Sequence, residues 1–228
     1  MRRIIILSLI MVLFGQINAF AYSGEIDSFI HDFGFEKAEN DKTFDEVEPE
    51  RVISINAFDV DDKGNTALIY SVNSDEGQIR LYNAESELVK CYSYQNNNAA
   101  NFIILEGSKI GFTGTKFIGF YVIDTATGEV TAYKWTGYDD KKFAKFEELR
   151  MSRQEKRVGD TLYYMSNNKN EMTAPGTSLE TYRYLIAEKD GDPKVLYEIG
   201  ISKYATYIFL TIFIALLVGV KRRRGSSC

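Results

Sequence analysis

Asp59, Asp61 and Asp62 crowd a stretch reading "FDVDDKGNTALIYS" from Phe58 to Ser71, with Gly64 and Asn65 close behind. Alternating carboxylates followed by a glycine could form a calcium loop. Placed on an EF-hand, Asp59 and Asp61 take positions 1 and 3, and Gly64 takes the sharp-turn position 6. Position 5 then falls on Lys63, a cation where an oxygen ligand is needed, and position 12 on Tyr70 instead of a bidentate glutamate. The flanks are strand-like, not helical. A hairpin turn accounts for every residue, with Gly64 or Asn65 in the positive-φ position that closes it. The same logic covers Gly128 in "DTATGEV" and Gly191 in "EKDGDP". No metal ligand is expected.

His31 is the single histidine, so any Ser-His-Asp or Cys-His nucleophile, or any imidazole metal ligand, must use it. It lies in "SFIHDFGF", an amphipathic patch that suits packing or a surface better than catalysis. No paired cysteines support zinc, and no phosphate-binding glycine loop is present. Two carboxylates can hydrolyse glycosides, but no particular acidic pair stands out from an abundantly acidic chain. The expectation is no catalytic residue, no cofactor and no metal. Aromatic side chains are the remaining candidates. Tyr92 and Tyr94 flank an Asn-rich loop in "YSYQNNNAANF", and Trp135 lies near Tyr138 in "YKWTGYDD". Such rings stack on sugars or anchor a partner residue. The plainer alternative, which we prefer, makes them core and loop-end residues of a β domain.

The elements that would position these groups are strands. Eleven strand-length runs punctuated by Gly, Asn, Asp or Ser extend from "RVISINAF" through "TALIYSV", "QIRLYN", "ELVKCYSY", "NFIILE" and "KIGFT" to "FIGFYVID", "EVTAYKW", "TLYYMS", "TYRYLIAE" and "KVLYE". Residues 139–157 are highly charged, with Phe143, Phe146 and Leu149 at helical spacing, and read as a short amphipathic helix or a solvated linker. Residues 22–50 carry a short helix around "SFIHDFGFEKA" and an acidic stretch expected to be partly mobile. "IRLYNAESELVKCY" from Ile79 is matched by "FYVIDTATGEVTAY" from Phe120, with Asn83 and Asp124 offset by 41 residues, the period of a four-stranded propeller blade. A third copy, "RYLIAEKDGDPKVLYE", starts at Arg183.

These hairpins are similar to those of bacterial β-propeller and WD-repeat-like proteins. The layout over most of 52–224 resembles uncharacterised membrane-anchored proteins of Gram-positive, clostridia-like bacteria. The resemblance implies no known reaction. Three blade-like units are fewer than the four to eight that close a propeller. The expected fold is therefore mainly β and antiparallel: an open or incomplete propeller, a β-sandwich or half of a dimer.

Both ends of the chain read as membrane-directing. Residues 1–21 pair Arg2 and Arg3 with an apolar run from Ile4 to Phe14 and the small residues Ala19 and Ala21, a secretory signal expected to be cut after Ala21. Residues 204–220 are 17 uncharged residues, enough for a bilayer core of about 30 Å. Lys221, Arg222, Arg223 and Arg224 then fix a cytoplasmic tail at 221–228. No LPxTG-type pentapeptide precedes the apolar run, and no cysteine follows the signal core, so the helix itself is the expected anchor.

Residues 22–203 would lie outside the cytoplasm, as an N-terminal segment (22–50) and a β domain (51–203), with a net charge of about −11. That surface excludes nucleic acid as a partner, because binding it rests on neutralising phosphates. Cys91 has no second cysteine in this region, which suggests a bacterial envelope. The expected protein is a type I single-pass membrane protein displaying a non-catalytic domain. Its partners would be the bilayer and an envelope or membrane protein, for binding or assembly. The alternative is an envelope hydrolase, for example glycoside-directed, using a carboxylate pair.

Overall fold

The computed structural model describes residues 24–40, 44–95, 100–113, 119–136, 139–169 and 182–199. The expected signal at 1–21, the apolar segment at 204–220 and the basic residues Lys221 to Arg224 lie outside the described residues. Among those described, no helix is long and apolar enough to cross a membrane.

All eleven expected strands form, and they fall into three antiparallel meanders. The first is β3 (Ser54–Val60), β4 (Thr66–Ser71), β5 (Glu76–Tyr82) and β6 (Leu88–Gln95). The second is β7 (Ile103–Glu106), β8 (Lys109–Thr113), β9 (Gly119–Asp124) and β10 (Val130–Trp135). The third is β11 (Glu155–Val158), β12 (Thr161–Ser166), β13 (Tyr184–Lys189) and β14 (Asp192–Glu198). The three sequence repeats are the last hairpins of these meanders: β5–β6, β9–β10 and β13–β14. In the first two, Asn83 and Asp124 do the same work. Each side-chain oxygen accepts a backbone N–H within its own turn, from Glu87 at 2.8 Å and from Ala126 at 2.9 Å.

The N-terminal segment supplies three elements among its described residues. It forms α1 (Glu25–Phe33), β1 (Phe35–Ala38) and β2 (Asp45–Glu46). Ile26, Phe29 and Phe33 recur at helical spacing and are buried, so α1 lies on the free face of the second meander. β1 pairs with β10 and β2 with β6, adding a fifth strand to two of the three sheets. The segment therefore straps the outer edges of two meanders. Burial of the phenylalanines and the hydrogen bonds offered by two sheet edges outweigh the acidic composition.

The charged stretch at 139–157 forms the expected helix over most of its length and adds a strand that was not expected. α2 (Asp140–Ser152) is capped by Asp139, whose carboxylate accepts from the Lys141 N–H at 2.8 Å. β11 follows at once as the first strand of the third meander. Of the predicted apolar stripe, Phe146 is buried and Leu149 half-buried, whereas Phe143 sits at the exposed margin.

The first meander is sandwiched by the other two. One of its faces packs Ala67, Ile69, Ile79 and Tyr92 against Ile103, Ile110, Phe112 and Ile123 of the second. Its other face packs Phe58, Val60, Leu68 and Tyr70 against Met165, Tyr182 and Leu185 of the third. Every position of β3 and β4 is buried as a result, and neither strand shows inside-outside alternation. The sheets do not close into a ring. α1 and α2 cover the outer face of the second meander, with Phe29 at the centre of a ring cluster that includes Phe33, Phe102 and Phe120.

Candidate functional site

The most concentrated polar chemistry among the described residues lies where the three meanders meet. Asp59, near the end of β3, is 1% exposed. One carboxylate oxygen accepts from the Val60 N–H at 3.0 Å and from Lys156 Nζ on β11 at 2.6 Å. The other accepts from the Leu105 N–H on β7 at 2.7 Å and lies 3.5 Å from Arg153 Nη1. One side chain thus joins the first strands of all three meanders. Burial pushes the Asp59 carboxyl above its ordinary range, and the Lys156 charge together with the N–H donors offsets part of that rise.

Arg153 lies between α2 and β11. Its backbone N–H closes the end of α2 on Leu149 and Arg150 carbonyls at 3.2 and 3.3 Å. Its guanidinium also pairs with Glu25 in the first turn of α1, donates to the Ile103 carbonyl at 3.4 Å and rests over the Phe102 ring at 5.2 Å. Burial pulls the guanidinium down to about 10, still well above neutrality, so it stays charged. Asp59 and Glu25 then balance Lys156 and Arg153, two charges against two. The helix is fixed a second way, by a Glu106 carboxylate oxygen accepting the Ile26 N–H at 3.0 Å.

A carboxylate that accepts three hydrogen bonds and faces a guanidinium at 3.5 Å is poorly suited to work as a base or nucleophile, since those partners hold its lone pairs. Asp61 is equally committed. Its oxygens accept from the Lys63 and Asn65 N–H groups at 2.9 and 2.8 Å and from Asn65 Nδ2 at 2.8 Å, while Gly64 adopts φ 86°. The hairpin reading of this stretch is what forms. Among the described residues no three His, Cys, Asp or Glu side chains are grouped to hold a metal.

The sequence-nominated rings take other roles. Tyr92 and Tyr94 are buried between the first and second meanders, where β6 turns both inward against Phe112 and Ile103, the core placement of the plainer reading. Trp135, at the end of β10, is half-buried against the cluster under α1. Tyr138 lies outside the described residues. His31 is exposed on α1, 3.6 Å from Asp32. Cys91 is buried beside Arg80, and burial pushes its thiol up, away from the reactive thiolate. A shallow cavity of about 230 Å³ beside α1 brings Asp27, Asp124 and Glu129 together, but Asp124 holds its own turn through Ala126.

Sequence reasoning missed Glu25, Arg153 and Lys156. Asp59 did carry a signal, being the one charged residue in the strand-length run "SINAFDV". Its partners lie in charged segments where nothing separates them from their neighbours. Comparisons of the chain with protein-family models, curated proteins and solved structures found no match.

Proposed function

We propose that the chain is a single-pass membrane protein displaying a non-catalytic β domain outside the cytoplasm, where the domain binds or assembles with another envelope or membrane protein. The observation that carries this reading is the use made of the buried charges. Asp59, Lys156 and Arg153 are engaged in joining sheets. That is the chemistry of a scaffold.

We read the three meanders as blades of an open propeller. Their common four-strand order and the convergence of β3, β7 and β11 on Asp59 support that reading, as does the resemblance of the hairpins to propeller repeats. The apolar segment at 204–220 and the basic block after it support a membrane anchor with the domain outside.

The test is affinity capture from intact membranes, comparing the full chain with a chain ending at Lys203. Recovery of a common partner by both places the function on the β surface, and recovery by the full chain alone places it in the anchor. Capture of no partner by either removes the binding reading.

A further inference from the structure

We propose that Arg153 makes the N-terminal strap a conformational latch, so that docking of α1 and seating of the third meander are energetically coupled. The device is independent of what the domain binds. Three observations carry it. Arg153 occupies the short link between α2 and β11, with its backbone fixed to the end of α2. Its guanidinium is shared between Glu25 of α1 and Asp59 of β3. The same Asp59 holds Lys156, the second residue of β11.

With α1 docked, two carboxylates face two cations. When α1 leaves, Glu25 goes with it. Arg153 and Lys156, both partly buried, are then left around the single buried Asp59 carboxylate. Two cations on one buried anion repel each other, and the group free to move is Lys156 together with β11. Loss of the strap therefore loosens the third meander, and by reciprocity loosening β11 weakens the hold on α1. In this proposal α1, docked or withdrawn, is the two-position element such coupling requires. Its N-terminus is held by side chains, Glu106 on Ile26 N–H and Arg153 on Glu25, and its apolar face by ring packing. A partner that draws the strap away would be felt in the meander whose last strand, β14, leads toward the C-terminal segment.

The experiment is amide hydrogen exchange on the full chain in detergent micelles, comparing Glu25→Gln, Arg153→Lys and the double variant with the parent. Glutamine keeps the shape of Glu25 and removes its charge. Lysine keeps the charge of Arg153 but lacks the planar fork that spans two carboxylates. In Glu25→Gln, exchange is expected to rise about threefold or more both in α1 and in residues 155–166, the size expected for directly coupled groups. In the Arg153→Lys background the response of 155–166 to Glu25→Gln should vanish. An increase confined to 24–33 overturns the proposal, and so does a response of 155–166 that persists unchanged with lysine at 153. If Arg153→Lys does not fold, the Glu25→Gln comparison decides alone.

Discussion

Asp59 illustrates how one buried charge can be costly and indispensable at once. Its folded pKa is raised, because removal from water outweighs the stabilisation from Lys156 and the N–H donors. An acid with a raised folded pKa contributes its full stability below the unfolded value, about 3.9, and loses it as pH climbs through the folded one. Lys156 limits that loss. Lys156→Met should therefore raise the Asp59 pKa further and destabilise the domain by roughly 3 kcal/mol at pH 7, as expected when one member of a buried pair is removed. The deficit should be smaller at about pH 4, near the ordinary carboxylate value, because a carboxyl held above that value takes up its proton earlier. Urea denaturation of parent and variant at both pH values, followed by the fluorescence of Trp135, measures it. A deficit independent of pH would mean that Lys156 acts through packing alone.

At the scale of elements, the first and second meanders use glycine where an aromatic ring crosses the sheet. A Cβ on Gly77 would meet the ring of Tyr94, its direct partner on β6, at 2.4 Å, and a Cβ on Gly111 would meet Phe120 at 2.5 Å. Both rings are buried in the core. Gly77→Ala should cost about 1–3 kcal/mol by overpacking. Gly107→Ala, in a turn with open space around it, should cost less, through its positive φ alone. Thermal melts of the two variants rank them, and the reverse order would show that Tyr94 moves aside readily.

The same scale shows why some elements were legible and others not. The eleven strands are bounded by turn residues whose side chains or conformations end a strand locally, so the signal is written within a few residues. β1, β2 and β11 are short and charged. β11, "EKRV", looks solvated until Lys156 is seen to reach a carboxylate 97 residues away. Tyr92 and Tyr94 were ambiguous for a related reason: which face of β6 is covered depends on how the second meander packs. That is absent from the repeat.

Across the whole molecule, the outer edge of each meander needs an answer, because a free edge recruits other strands. Two edges are covered by the strap, β10 by β1 and β6 by β2. On the third, Pro193 and Lys194 stand on β14, and the ladder shifts register where Leu196 is passed over. These features blunt an edge that no described strand covers. The strap thus serves two purposes, hiding the second meander's apolar face and closing two edges. A chain lacking residues 24–47 would expose Phe102, Ile104, Phe120 and Val122 together with the backbone edges of β6 and β10. It should form concentration-dependent oligomers, whereas Phe29→Ser, which weakens α1 while leaving β1 and β2 in the chain, should remain mostly monomeric and less stable. Light scattering coupled to size exclusion in detergent distinguishes them over a dilution series. A monomeric deletion variant would show that the three meanders manage their own edges and that the strap acts only as the partner of Arg153.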